Sequence, residues 1–276
     1  MYLSVNGKLV NEKDAVVSVF DHGFLYGIGL FETFAVRENG IFLLENHIKR
    51  LEDSSEAVGI DYKVSKEEVY EVTSALLEKN GMVEGYVRWN VSAGIRGVGL
   101  FNERYDKPQT VVYVKKLPEP PTEKKAFSLK LPRNSPEGYE RFKSHHYMNN
   151  VLAKQELDDP TAEGIFFTKA GFVAEGIVSN LFWRKASCVY TPSLETGILN
   201  GVTRRYVIQM LNECAYELKE GLFTKKDLDE ADEIFVTNAI QGVVPVSQYD
   251  QRILLNRDVS SLIAKEYKKR VVEGRE

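Results

Sequence analysis

The chain has 276 residues, 43% of them hydrophobic and 28% charged, which suits a soluble globular protein of about two domains at roughly 150 residues each. Lysine plus arginine is 36 against 40 aspartates and glutamates, a net charge of −4, so there is no cation excess for nonspecific nucleic-acid binding. No uncharged apolar run approaches the roughly 20 residues that span a bilayer, so no membrane partner is expected.

The opening MYLSVNGKLV has no cationic segment or long apolar run, so no signal peptide is expected. Asn6-Gly7 between Tyr2–Val5 and Lys8–Val10 predicts a β-hairpin. Residues 30–36 read as a strand rich in apolar and aromatic side chains. Leu44, Ile48, Leu51 and Val58 fall near helical spacing and predict an amphipathic helix over 45–58. Ser65 to Glu68 forms a capping box before a second helix, which Asn80-Gly81 ends.

The run YVRWNVSA, 86–93, alternates: Tyr86, Arg88, Asn90 and Ser92 share one face. Residues 110–114 form a β-branched strand. Pro118-Glu119-Pro120-Pro121 then denies ladder donors and marks a boundary. The expected organisation is an N-terminal domain over 1–117, a linker over 118–124 and a C-terminal domain over 125–276. In the latter, 165–168, 172–175, 180–185, 188–191, 234–237 and 243–246 read as strands, and 202–214 and 257–272 as helices. Strands and helices mix without strict alternation, which favours an α+β class.

The cysteines, Cys188 and Cys214, lack CxxC spacing and read as two reduced core thiols of a cytosolic protein. The only histidines are His22, His47, His145 and His146. Read as a helix, RFKSHHYMNNVLAKQE (141–156) points its adjacent histidines about 100° apart, so they do not converge, and no metal site is expected. Lys143 and Lys154 would lie about 16 Å apart along such a helix, so one small site cannot use both. Lys143 follows the Gly138 loop, where a side chain can enter a cleft. A solvated lysine and a reactive one are both open there.

Glu175, in FVAEGIVSN, is either an edge-strand carboxylate facing water or a buried one that needs a cation. Gly201, ahead of a predicted helix with Thr203 in its first turn, offers a phosphate site or ordinary capping. The glycine-rich AGIRGVGLF, 93–101, matches neither a dinucleotide fingerprint nor a P-loop.

The order of DHGFLYGIGLFET, HIKRL, FK followed ten residues on by Ala153, EGIVSN and LNGVTR resembles the class IV (fold-type IV) pyridoxal-phosphate enzymes from about Val5 to Val246. That resemblance implies two α/β domains with pyridoxal 5'-phosphate in the cleft between them, in a homodimer. It implies Lys143 as the Schiff-base lysine, Glu175 as partner of the pyridinium nitrogen and Arg50 as phosphate ligand. Val202 and Thr203 would receive the same phosphate, with Asn238 and Ala239, and Tyr147 would bond the phenolic oxygen. Thr237-Asn238-Ala239-Ile240-Gln241 lacks the acidic residue of many transaminases and looks like the aminodeoxychorismate lyases of the family. The expected reaction makes 4-aminobenzoate and pyruvate from 4-amino-4-deoxychorismate. The alternative is an aminotransferase of branched-chain or D-amino acids. A dicarboxylate substrate calls for cations: Arg88, beside Tyr86, and then Arg96, with Phe31 and Thr33 lining the pocket. For Arg96 a solvated loop charge is equally open. His145 and His146 are left to supporting or interface roles.

Overall fold

A computed structural model of the protein describes residues 1–274. Asn6 and Gly7 take φ of 51° and 77°, the left-handed pair of a two-residue hairpin, and join β1 (Tyr2–Val5) to β2 (Lys8–Asn11). A short helix, α1 (His22–Tyr26), follows, its first amides held by the Asp21 carboxylate. Then come β3 (Gly29–Val36), α2 (Leu44–Ala57), α3 (Lys66–Lys79), β4 (Gly85–Ser92) and β5 (Gln109–Lys115). Ser65 caps α3 by accepting from the Glu68 amide at 3.1 Å. Asn80 ends α3 and exchanges two hydrogen bonds with the backbone of Tyr2, tying the helix end to the hairpin.

These strands form an antiparallel sheet in the order β2-β1-β5-β4-β3. One face carries Leu30, Phe34, Val87, Trp89 and Val91, which pack with Leu51 of α2 and Val69 and Leu76 of α3. The period-2 alternation predicted for 86–93 sets this face. Trp89 buries its ring and donates its Nε1–H to the Tyr62 hydroxyl at 2.7 Å.

The chain divides into two compact units. The first holds Met1–Pro118 together with Phe142–His146; the second holds Glu119–Arg141 and the chain from Tyr147 on. Lys143 therefore groups with the first unit, whereas the sequence reading put it in the C-terminal domain. The reading of 141–156 as one helix also needs correction. Only Met148–Lys154 (α4, numbered with the second unit below) is helical. Residues 142–146 are extended along the edge of β3: the Phe31 amide donates to the Lys143 carbonyl at 2.8 Å, and the His145 amide to the Gly29 carbonyl at 2.9 Å. An open sheet edge satisfied these amides better than helix formation would.

The second unit contains β6 (Lys124–Ser128), α4, β7 (Glu163–Phe167), β8 (Val173–Gly176), β9 (Asn180–Lys185) and β10 (Cys188–Pro192). It continues with α5 (Val202–Glu213), β11 (Glu217–Gly221), α6 (Lys225–Asp229), β12 (Glu233–Asn238), β13 (Gly242–Tyr249), β14 (Arg252–Ile253) and α7 (Asp258–Glu273). Its sheet runs β11-β10-β9-β12-β13-β6-β7-β8, with β14 beside β13. Pairing is parallel at β10/β11, β13/β6 and β6/β7 and antiparallel elsewhere. Helices α5 and α7 pack on this sheet. Its core includes Leu181, Trp183, Ile234, Val236, Val244 and Val246. Replacing Leu76, fully buried in the first core, by Ala should cost about 2–5 kcal/mol. A denaturant titration checks this through a lowered midpoint at unchanged slope.

Candidate active site

In the first unit the sheet face opposite α2 and α3 gathers the predicted substrate residues. Register places Thr33 across from Arg88 and Phe31 across from Asn90, while Ser144 bridges Leu30 on the other edge of β3. Residues opposite one another share a face, so Lys143, His145, Phe31, Thr33, Arg88 and Tyr86 all lie on this one. The contacts agree. The Arg88 guanidinium lies 3.6 Å from the Phe31 ring centroid and the Lys143 ammonium nitrogen 4.5 Å from it. The His145 ring stacks on Phe31 at 6.5 Å. Arg88 is aimed by a 3.0 Å bond from its Nε to Asn90 Oδ1, and Asn90 is itself fixed by donating to the Val111 carbonyl. Burial raises the Tyr86 hydroxyl pKa, against the pull of Arg88.

Arg96 is used otherwise. Its guanidinium donates to the carbonyls of Glu103 and Arg104 at 3.1 and 3.0 Å and lies over the rings of Phe101 and Tyr105. These contacts shape the loop that carries Arg96.

Arg50 sits on α2 beside His47, one helical turn apart, and both reach Glu32 on the helix-facing side of β3. Arg50 Nε donates to Glu32 Oε1 at 2.6 Å and Nη2 to Oε2 at 2.8 Å, a bidentate fork; His47 Nδ1 donates to Oε2 at 2.7 Å. Burial alone would raise the Glu32 carboxyl, but the adjacent Arg50 and the His47 bond outweigh it and hold it well below the usual range. Burial pushes His47 down, against Glu32. Neither Glu32 nor His47 emerged from the sequence reading. The available signal was a carboxylate in phase with Leu30 and Phe34 on the apolar side of a strand.

In the second unit, β8 is buried at every position and carries Glu175, 4% exposed. Its Oε1 accepts from Arg133 Nε and Nη2, both at 3.0 Å, with Arg141 Nε at 3.8 Å. Its Oε2 accepts from the Leu199 amide at 3.0 Å and Asn180 Nδ2 at 3.3 Å. Glu175 is thus the buried, paired carboxylate of the two alternatives. Arg133 was missed in the sequence; a lone arginine in LKLPRNSPEG gives no periodic signal.

Helix α5 starts at Val202 behind Gly201, which supplies no side-chain cap. A Cβ on Gly201 would come within 2.0 Å of Asn180 Oδ1, so glycine is required for that approach. Thr203 Oγ1 on α5 and Thr237 Oγ1 on β12 are buried and have no hydrogen-bond partner among the described residues. Buried hydroxyls are usually satisfied, and these two, with the helix start, suit an anion with several acceptor oxygens. The Asn238 carboxamide oxygen is taken by the amides of Ile240 and Gln241, closing a tight turn. Tyr147 stands at the start of α4, outside its first turn, so its link to Lys143 is not a helical one.

His145 carries a pH consequence. Burial pushes its imidazole down to about 4, helped by Arg88 and His146 and opposed by Asp21 and the Leu30 carbonyl. An unfolded histidine titrates near 6.5, so between about 6.5 and 4 the unfolded chain binds a proton that the folded one does not. Stability should therefore fall as pH drops through this window and be insensitive to His145 above it. Thermal melts of wild type and His145→Gln from pH 7.5 to 4 test this: the substituted protein should lose less stability across the window.

A family model of the class IV amino-transferases matches residues 29–249. The chain is 49% identical to the aminodeoxychorismate lyase of Bacillus subtilis (strain 168) over 252 residues, covering 90% of this chain and 86% of that protein. Among solved structures, it is similar to the branched-chain aminotransferase of Thermoproteus uzoniensis with norvaline, at a TM-score of 0.88 and 27% identity, covering 100% of this chain and 96% of that one. It is similar as well to a putative 4-amino-4-deoxychorismate lyase of Legionella pneumophila, at a TM-score of 0.85 and 25% identity, covering 94% and 96%. The matched span takes in Arg50, Lys143, Glu175 and Thr203 alike, and the chain belongs to the class IV aminotransferase family, with its fold-type IV architecture.

Proposed function

We propose that this protein is an aminodeoxychorismate lyase, which uses pyridoxal 5'-phosphate to convert 4-amino-4-deoxychorismate to 4-aminobenzoate and pyruvate, a step toward folate. The observation that carries this reading is the cluster on the face of the first sheet opposite α2 and α3. There a lysine amine and an arginine guanidinium flank one aromatic ring, as a ring-shaped dicarboxylate with an amino group requires. The Bacillus subtilis relative supports the choice of reaction.

The residues fit the cofactor. The α5 start and the orphaned Thr203 and Thr237 hydroxyls suit its phosphate, with the backbone of Val202, Asn238 and Ala239 and the Arg50 guanidinium. The buried Glu175 suits a protonated ring nitrogen, and Tyr147 is assigned the phenolic oxygen. When bound, this group offers an electrophilic carbon to an amine and a ring that takes up the electron pair of a broken bond.

Lys143 would hold this group through its Nζ and would give up that place to the substrate amine, regaining it when the product amine leaves. Its freed Nζ takes the proton from the carbon that bears the substrate nitrogen. The carbon–oxygen bond of the neighbouring enolpyruvyl ether then breaks, the six-membered ring becomes aromatic, and Nζ returns a proton to the three-carbon enol, which leaves as pyruvate. Glu175 would face the ring nitrogen with a carboxylate already held by Arg133. Arg88, held by Asn90 and stacked on Phe31, binds a substrate carboxylate; Tyr86 and Thr33 border it, and Arg96 shapes the neighbouring loop.

A homodimer is part of this proposal. Val17, Val19 and Phe20, and Ile95, Val98 and Leu100, are exposed on two loops joined by a bond from the Arg96 amide to the Phe20 carbonyl, with Phe24 exposed on α1 beside the first. So much apolar surface on one side suits a second copy. A cytoplasmic location is proposed from the free thiols of Cys188, which is in the core, and Cys214, which is exposed at the end of α5 and not in the core as the sequence reading expected; no helix among the described residues is long and apolar enough to cross a membrane.

The likeness to the Thermoproteus uzoniensis enzyme favours the second reading, an aminotransferase in which Lys143 moves the proton between two carbons. Purified protein supplied with aminodeoxychorismate should release aminobenzoate and pyruvate. Rapid keto-acid exchange with no aminobenzoate would establish the aminotransferase instead. Lys143→Ala should abolish turnover and the borohydride-trappable visible absorbance. Arg88→Ala, which removes a charged hydrogen-bond donor of about 1.5–3 kcal/mol, should raise KM by tenfold or more. Sedimentation should give twice the mass of the chain, and Leu100→Asp should reduce it.

A further inference from the structure

Arg133 is a fully engaged guanidinium, 8% exposed. Its Nε and Nη2 grip one oxygen of Glu175 at 3.0 Å. Its Nη1 donates to the Asn149 and Asn150 carboxamide oxygens at 2.8 and 3.1 Å, both on α4, and its plane lies 5.0 Å from the Phe166 ring centroid. The asparagines are fixed in turn. Asn149 Nδ2 donates to the Pro132 carbonyl and Asn150 Nδ2 to the Ile177 carbonyl. The loop that carries Arg133 is pinned by its own amide donating to the Phe167 carbonyl at 2.8 Å. Every donor group of the side chain is accounted for, and each partner is itself held.

Such a buried ion pair is a weak source of stability, because the cost of desolvating two charges offsets much of their attraction. Its position says more. Arg141 adds a second guanidinium at 3.8 Å from the same oxygen, pushed down to about 10 by burial and by Arg133 and still a cation at neutral pH. Two cations thus bear on one carboxylate. Oε1 is clamped, while Oε2 has only the Leu199 amide and the longer 3.3 Å contact from Asn180.

We propose that Arg133 is a positioning residue for Glu175, fixing the carboxylate's orientation and holding it as an anion, so that the proton shared with the cofactor's ring nitrogen stays on the ring. This rests on the assignment of Glu175 as the ring-nitrogen partner. The physical reason is a competition for one proton. A carboxylate beside a ring N–H⁺ can either accept a hydrogen bond or take the proton outright and leave a neutral pair. A guanidinium at 3.0 Å stabilises the carboxylate only in its charged form, and burial leaves that attraction little screened. A ring that keeps its proton remains the stronger electron acceptor.

The test is the nitrogen-15 resonance of the ring nitrogen in holoenzyme loaded with ring-labelled pyridoxal 5'-phosphate at neutral pH. Wild type should show a protonated ring. Arg133→Gln should move the resonance downfield, towards neutral pyridine, and Arg133→Lys should restore part of the shift. Glu175→Gln should give the unprotonated position outright. Should Arg133→Gln fail to fold, Asn149→Asp offers the Nη1 end a competing anion, and a smaller displacement in the same direction is expected. An unchanged resonance in Arg133→Gln, or in Asn149→Asp where that is the variant that folds, overturns the proposal. If Glu175→Gln loses the protonated signal in the same series, the Glu175 assignment survives that failure. If Glu175→Gln keeps the wild-type resonance, the assignment of Glu175 is wrong and the role of Arg133 falls with it.

Discussion

The arrangement around Lys143 depends on one set of backbone hydrogen bonds. Residues 142–146 lie extended along β3, with the Phe31 amide on the Lys143 carbonyl and the His145 amide on the Gly29 carbonyl. Strand geometry then puts Lys143 and His145 on the same side of the sheet as Phe31, Thr33 and Arg88. In a helix, Lys143 and His145 would point in widely different directions and neither would share a face with β3. The pairing also explains the small residue opposite His145: a Cβ on Gly29 would come within 2.3 Å of the His145 ring. A cation–aromatic cluster is thereby built from three segments distant in sequence.

In each unit a buried carboxylate is gripped by a buried or half-buried arginine. Glu32 is held by Arg50 in a fork to both oxygens, and Glu175 by Arg133 in a fork to one. Buried charges of this kind persist where they are paired and hydrogen-bonded. The two differ in what they leave for a ligand. Glu32 fixes the plane of the Arg50 guanidinium by engaging both Nε and Nη2. Glu175 is the fixed group itself, gripped on one oxygen. Both arrangements hold charged groups in fixed orientations.

Much of the fold was legible from local rules. The Asn6-Gly7 hairpin, the Ser65 cap, the alternating 86–93 strand and the helix from Val202 follow from turn chemistry, capping and periodicity, and the structure contains each of them. Local rules failed for 141–156. There, the five residues 142–146 settled on an open strand edge, a choice made by residues more than a hundred positions earlier. They also missed β11, whose sequence ELKEG carries no apolar alternation because it lies at the sheet edge, mostly in solvent. Among the site residues, Arg50, Lys143, Glu175 and Thr203 were reached through ordered motifs. Glu32, His47 and Arg133 were not, because each matters through a partner that only folding supplies.

The sequence by itself determined which chemical groups this protein has and in what order: a lysine after a glycine-bearing loop, a glutamate in an apolar strand, a glycine and threonine at a helix start. Period and turn chemistry are local properties, so they survive in the chain as written. Tertiary structure decided which of those groups face one another. It turned Glu175 from an ambiguous strand residue into a buried anion with four donors, gave Arg96 to its own loop, and set Lys143 beside Phe31 through a sheet edge. Those outcomes rest on strand pairing and burial between distant segments, which local sequence pattern does not encode.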